Sequence, residues 1–154
     1  MATQLHNPLA TMSIRGGSLS HMFGKGVRDN GKRDHQGWDL LADEGTPTFA
    51  VASGTLQETR QTGYGLSLIL QFEVDGHTRW AFYAHLSGVV SGLQRASAGD
   101  VIGFTGRDGY QKHKSYPSHL HFEIRTTLNL PKGSGTSGRE NPRIYFPAVP
   151  GPDL

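Results

Sequence analysis

Short alternating segments dominate the chain between residues 48 and 126. Runs of apolar or β-branched residues alternate with polar ones, and glycine or Asp-Gly separates one run from the next. This pattern is typical of strands joined by tight turns, and the dipeptide Asp75-Gly76 between two runs predicts a hairpin. The predicted strands cover residues 48–52, 54–59, 66–74, 78–85, 101–105 and 119–126.

The rest of the chain carries much weaker periodicity. Residues 1–34 are rich in glycine, asparagine, serine and basic residues, and we predict mostly loop with one short strand at 12–15. Residues 87–97 could hold one short turn of helix at most, and no segment has the period of a long amphipathic helix. Five of the eight prolines fall in residues 129–154, which favours an irregular C-terminal wrap. The fold class we predict is all-β, with a mainly antiparallel sheet.

Length and composition further narrow the class of protein to which the chain can belong. A chain of 154 residues favours a single domain, with a core at about 7–127 and the wrap at 128–154. The formal charge of +2 is too small to indicate a nucleic-acid partner. No run reaches the roughly 20 apolar residues of a membrane span, and the first residues lack the pattern of a signal peptide. We expect a monomer that either reaches its site of action by a non-standard route or is a trimmed part of a longer protein.

The absence of cysteine directs attention to the eight histidines. Disulfides, a thiolate metal site and a cysteine nucleophile are all excluded. His119 and His121 alternate with Leu120 and Phe122, so a strand here would place both imidazoles on one face and both apolar side chains in a core. A solvated strand face is the ordinary alternative, and this segment alone favours neither.

Two further segments carry weaker signals. His35 and Asp39 lie four residues apart and are both good zinc ligands, although such a pair is more often solvated. His85 ends an apolar run, and a single histidine in such a place more often has a structural role than a catalytic one. Together the segments could supply the three ligands of a catalytic zinc site and a histidine to accept a proton. The helical His-Glu-x-x-His motif of another zinc peptidase class is absent.

The ordered set of motifs resembles the lysostaphin-type, or LytM-domain, zinc metallopeptidases. The family signature is His-x-x-x-Asp, then a strand ending in His, then His-x-His. The glycine-rich stretches at 45–54, 63–65 and 98–106 are also similar to the family, so the likeness runs over about residues 7–126. The matching motifs are His35 to Asp39, Tyr83-Ala84-His85-Leu86-Ser87 and His119-Leu120-His121-Phe122-Glu123.

The resemblance implies a role for each of these residues. His35, Asp39 and His121 would bind one zinc ion. His119 would act as general base on the zinc-bound water, and His85 would orient that water and stabilise the developing oxyanion. The implied fold is an antiparallel sheet, or distorted sandwich, with an open groove and zinc at its floor.

The segment between the second and third motifs is longer than the resemblance leads us to expect. Residues 107–118 are polar, and we expect them to form a wall of the substrate groove, with a solvated loop as the alternative. The side chains expected to contact substrate are Tyr110, His113 and Tyr116. His6, His21 and His77 match nothing in the family and are interpreted as surface residues.

The implied activity is endopeptidase cleavage of bacterial peptidoglycan, in the periplasm or outside the cell. We favour D-alanine cross-links over glycyl-glycine bonds. Two alternatives remain: an inactive relative that binds and activates another wall hydrolase, and a different zinc hydrolase or metal-binding module. The protein could be a phage lysin, a domain of a secreted enzyme, or an exported antibacterial toxin, which would imply an immunity protein as partner.

Overall fold

The computed structural model describes residues 3–17, 19–109, 115–130 and 135–150, apart from the side chains of 115 and 116. Twelve strands make up about half of this part of the chain, so the all-β prediction is confirmed. Ten of them form one antiparallel sheet, and β1 and β2 form a separate ribbon. The strands are β1 Gly24–Arg28, β2 Arg33–His35, β3 Trp38–Leu41, β4 Pro47–Phe49, β5 Gly54–Gln61, β6 Gly65–Val74, β7 His77–Ala84, β8 Leu86–Val89, β9 Arg95–Ala96, β10 Val101–Asp108, β11 Ser115–Arg125 and β12 Arg139–Glu140.

The main path of the large sheet runs β4-β10-β11-β7-β6-β5-β9. β6 and β7 are joined at Asp75-Gly76, where Val74 pairs with His77 and both turn residues have positive φ, 51° and 79°. A two-residue loop of this kind matches the right-handed twist of the flanking strands. The predicted hairpin is therefore confirmed.

Strand β11 pairs with four other strands of the sheet. It pairs with β10 and β7 along one edge, and with β3 and β12 along the other. The register places His121 opposite Asp39 of β3 and opposite Ala84 of β7. Since directly opposed residues project to the same face, the pairing brings together side chains that are far apart in sequence.

The two faces of β11 have different chemistry. Leu120, Phe122 and Ile124 are fully buried in the main apolar core, against residues that include Trp38 and Phe146. Each such side chain contributes roughly 1.5–3 kcal/mol of burial free energy. The opposite face carries a row of buried polar residues: His119, His121, Glu123 and Arg125.

The less periodic segments contain short strands that the sequence did not predict. The strand expected at 12–15 is reduced to one bridge between Ile14 and Leu40, and residues 1–34 are mostly loop, as expected, but include β1 and the start of β2. Residues 87–97 hold no helical turn and include most of β8 and all of β9. In each case the strand is short and completed by distant partners, which local periodicity does not register. The 3-10 turns are Arg15–Gly17, Leu19–His21, Asp29–Gly31 and Pro142–Ile144.

The C-terminal segment packs against the main apolar core. Residues Arg139 and Glu140 extend the sheet beside β11, and a 3-10 turn at Pro142–Ile144 follows. Phe146 and Val149 are then buried in the main apolar cluster. Among the described residues, none of the helices has the length and apolar character needed to cross a membrane.

Candidate active site

Three side chains from β2, β3 and β11 converge at one point. Nε2 of His35 lies 3.2 Å from Oδ1 of Asp39, and Nδ1 of His121 lies 2.9 Å from the same oxygen. All three residues are buried, and one ligand atom of each lies within 4.8 Å of the others. Two imidazoles and one carboxylate at this spacing could hold a divalent metal ion and leave a coordination position open.

The opposite ring nitrogens of the two histidines are engaged elsewhere. Nδ1 of His35 donates to the carbonyl oxygen of Met22 at 2.9 Å, and Nε2 of His121 donates to Oε2 of Glu123 at 2.6 Å. Such contacts fix the tautomer and ring orientation of metal-binding histidines. The residues therefore fit a metal ion, because the remaining nitrogens are aimed at the same point as the Asp39 carboxylate.

Two more histidines line the same cavity. Nε2 of His119 lies 3.6 Å from Oδ1 of Asp39, and its Nδ1 donates to the carbonyl oxygen of Pro117 at 2.6 Å. Nδ1 of His85 donates to the carbonyl oxygen of Asp108 at 2.8 Å. The two rings meet edge to face, with centroids 4.9 Å apart. Both imidazoles are thus held beside the three converging side chains.

The backbone at His85 departs from the expected strand end. β7 ends at Ala84, and His85 has a left-handed φ of 62° at the corner leading into β8. The corner packs closely on Gly106 of β10, where an added Cβ would lie 2.9 Å from the His85 carbonyl oxygen. Glycine at 106 thereby lets the corner approach β10.

Burial and hydrogen bonding give the site a distinct charge pattern. Burial lowers the pKa of His85 to about 3 and also lowers the pKa values of His35 and His119, so these imidazoles are neutral at pH 7. Burial would raise the pKa of Asp39, but its close contacts with His121, His21 and His35 hold the pKa well below its usual range. Burial lowers the pKa of His121, but contacts with Asp39 and Glu123 outweigh it and raise the value.

A buried ionic cluster lies behind His121. Glu123 accepts hydrogen bonds from Nε of Arg125 at 2.8 Å, from Nε of Arg139 at 2.7 Å and from the hydroxyl of Tyr64 at 3.0 Å. Burial would raise the pKa of Glu123, but the hydrogen bond with His121 and the charges of His121, Arg125 and Arg139 hold the pKa well below its usual range. The carboxylate that orients His121 is therefore ionised and fixed from several sides.

The sequence interpretation missed two residues at the second Asp39 oxygen. Nδ1 of His21 lies 3.0 Å from Oδ2 of Asp39, and an Nη of Arg28 donates to the same oxygen at 2.7 Å. His21 had been interpreted as a surface residue, which was wrong. Neither residue belongs to a local motif, because each reaches the site through the fold of the N-terminal segment.

The expected substrate contacts fall largely beyond what the structure describes. Tyr110 and His113 lie outside the described residues, and so does the side chain of Tyr116. His6 and His77 are exposed, in agreement with their interpretation. The cavity itself has a volume of about 200 Å³. It is lined by Arg15, Arg28, His35, Gln36, Asp39, Gly63, Tyr64, His85, His119 and His121.

Comparison with known proteins gives a consistent set of relatives. The model of Peptidase family M23 matches residues 33–136. The chain is 36% identical over 94 residues to the DD-carboxypeptidase/endopeptidase Mpg of Neisseria meningitidis serogroup B, covering 60% of this chain and 20% of that protein. It is 37% identical over 99 residues to the glycyl-glycine endopeptidase ALE-1 of Staphylococcus capitis, covering 60% of this chain and 25% of that protein. The matched part is thus about a fifth to a quarter of these curated relatives.

The fold has close counterparts among solved structures. The structure of LytU superposes with a TM-score of 0.65 at 26% identity, covering 84% of this chain and 83% of LytU. The superposition extends over most of the described sheet, so the similarity reaches beyond the short motifs.

Proposed function

This chain belongs to peptidase family M23, and from that premise we propose that it is a zinc-dependent endopeptidase that hydrolyses peptide bonds of bacterial peptidoglycan. The observation that carries the proposal is the convergence of His35, Asp39 and His121, with His85 and His119 at the same cavity. Two histidines and one carboxylate form a donor set typical of catalytic zinc.

Zinc bound by these three residues would supply a Lewis acid and lower the pKa of a bound water towards about 7. The chain's own residues provide the rest. His119 is neutral, and its Nε2 faces the ligand cluster, so it can accept a proton as general base. His85 is held by the Asp108 carbonyl beside His119, where it can orient the attacking water and stabilise the oxyanion.

The bond that we propose is the D-alanine cross-link. The relatives differ in the activity that their names give: one is a DD-carboxypeptidase/endopeptidase and another is a glycyl-glycine endopeptidase. The substrate places the site of action at the cell wall. The protein would reach it as a lysin, as part of a secreted enzyme or as an exported antibacterial toxin. The toxin case implies an immunity protein that covers the cavity.

An inactive activator of another wall hydrolase is the alternative function. Such a protein has no need for a complete set of ligands and proton-transfer groups. Here all five side chains are present and gathered at one cavity, which favours the enzyme. A metal-binding module is favoured less, because it needs neither His85 nor His119 in addition to three ligands.

Purified sacculi provide the test. The protein is incubated with Gram-negative and Gram-positive sacculi, with and without a zinc chelator, and released fragments are identified by mass spectrometry. We expect cross-linked dimers to be cut and the chelator to stop the reaction. An absence of new fragments from both walls would favour the activator and overturn the enzyme.

Two variants separate the proposed roles. His121→Ala should lose zinc, because two remaining ligands hold it poorly. His119→Ala should retain zinc and the fold but lose at least about 100-fold in turnover, the contribution typical of a general base. Zinc content by metal analysis and turnover on sacculi are measured for both. A His119→Ala protein as fast as the parent would contradict the mechanism.

A further inference from the structure

Two arginines line the cavity beside the proposed catalytic residues. Arg15 lies in the first 3-10 turn and Arg28 lies at the end of β1, and both contribute to the cavity wall together with His119 and Asp39. Asp39 is the single carboxylate among the lining residues. The two guanidinium groups thus exceed the carboxylate by one positive charge before any metal ion is counted.

The contacts of Arg28 show which charge remains uncompensated. Its Nε donates to the carbonyl oxygen of Ser20 at 2.7 Å, and its Nη2 donates to Oδ2 of Asp39 at 2.7 Å. Arg28 and Asp39 therefore neutralise each other. Within the described part of the chain, no carboxylate lies within ion-pair distance of Arg15, which is half-buried.

The position of Arg15 relates it to the reacting centre. Arg15 and His119 line the same cavity, so the guanidinium group lies on the same side of the sheet as the proposed general base. The cavity of about 200 Å³ is smaller than the roughly 300–1,000 Å³ of typical ligand pockets. A substrate group that reaches Arg15 must therefore belong to a residue next to the bond being cut.

A guanidinium group in such a place selects for a negative partner. Its planar donors match the two oxygens of a carboxylate, and the pair strengthens where water is excluded. A glycine-only peptide offers no charged group within the chain. A cross-link in which a diamino acid retains its carboxylate beside the scissile amide does offer one.

We propose that Arg15, supported by Arg28, forms a subsite for a substrate carboxylate on a residue that flanks the scissile bond. The subsite rests on the proposed peptidase function and specifies its substrate class: peptides with a free carboxylate at that position, in preference to amidated or glycine-only ones.

Binding of an uncleavable peptide pair tests the subsite separately from turnover. Two peptides carry a ketomethylene group in place of the scissile amide, and they differ only in a carboxylate or a carboxamide on the following residue. Their dissociation constants are measured on the zinc-loaded protein at low salt. We expect the wild type to bind the carboxylate form at least about tenfold more tightly, and Arg15→Gln to reduce the preference to within about twofold.

Two further variants control for charge and folding. Arg95→Gln removes the same charge from β9, whose residues do not line the cavity, and should leave the preference unchanged. Arg15→Lys retains the charge but not the planar pair of donors, so it should keep part of the preference, and it tests the subsite even if the glutamine variant folds poorly.

The outcomes distinguish the subsite from the peptidase proposal. Equal binding of the two peptides by the wild type, or an undiminished preference in Arg15→Gln, would overturn the subsite whether or not sacculi are cut. A carboxylate preference that depends on Arg15 would support it even if sacculi digestion failed.

Discussion

At the scale of single residues, Asp39 organises the site with both of its oxygens. Oδ1 lies 2.9, 3.2 and 3.6 Å from ring nitrogens of His121, His35 and His119. Oδ2 contacts His21 and Arg28. The first oxygen is positioned to share a cation with the imidazoles, and the second is held still by donors. One buried carboxylate therefore both offers a ligand atom and fixes its direction.

Glu123 should determine how tightly His121 binds metal. Glu123→Gln removes the ionised acceptor behind Nε2 of His121, and loss of such an outer contact typically weakens metal affinity about 10–100-fold. Competition with a chromophoric zinc chelator measures the affinity at a temperature where the variant is folded.

Glu140→Gln provides the matched control for that substitution. Glu140 also accepts from an arginine and a tyrosine, Arg79 at 2.8 Å and Tyr145 at 2.7 Å, but it contacts none of the proposed ligands. The Glu140→Gln protein should therefore bind zinc as tightly as the wild type. If Glu123→Gln binds zinc as tightly as Glu140→Gln, the carboxylate has only a structural role.

Some of these residues could be predicted from sequence and others could not. Alternation alone placed His119 and His121 on one face, and the same alternation could have identified Glu123. The contact of His121 with Asp39 depends on the β3–β11 register, which no local pattern specifies. His21 and Arg28 reach Asp39 through the tertiary course of a segment with little periodicity.

At the scale of elements, the link between β2 and β3 crosses unusually close to β11. A Cβ added at Gly37 would lie 2.2 Å from the carbonyl oxygen of Phe122 and 2.8 Å from Cγ of Glu123. The backbone on either side carries His35 and Asp39. Glycine at this position lets His35 and Asp39, the two proposed ligands, reach the strand that carries His121.

Gly37→Ala should therefore disturb both stability and metal binding. The added methyl group must displace backbone, and overpacking of this kind costs about 1–3 kcal/mol or more. Gly88→Ala in β8 is the control, since a Cβ there meets nothing within 4 Å and should change stability by less than about 0.5 kcal/mol. Denaturant unfolding and zinc titration compare the two. Equal stability and zinc affinity would show that the link has room to move.

The β1–β2 ribbon shows why some elements escaped prediction. Its turn contains Asp29-Asn30-Gly31, and all three residues have positive φ. Asn-Gly is a recognised hairpin signal, but the flanking strands are polar and rich in glycine, so alternation was not visible. The Asp75-Gly76 turn was found because β6 and β7 on either side are strongly apolar.

At the scale of the whole molecule, the site is held by contacts distant in sequence. The amide of His85 donates to the carbonyl oxygen of Tyr64 at 2.9 Å, and its ring donates to the carbonyl of Asp108 at 2.8 Å. The corner between β7 and β8 is thus fastened to the start of β6 and the end of β10. Unfolding the sheet releases His85 to water, so its protonation is linked to global stability.

Acid should weaken the fold through His85. Its pKa falls from 6.5 to about 3 on burial, so the folded state favours the neutral ring. The stabilisation is complete above pH 6.5 and is lost as pH falls towards 3, because the unfolded state then binds more protons. His85→Asn suits the left-handed backbone and removes the titrating group. With chelator present, the difference in unfolding free energy between wild type and variant should shrink by about 1 kcal/mol per unit between pH 6 and 4. A constant difference would show that His85 is exposed or already charged in the folded protein.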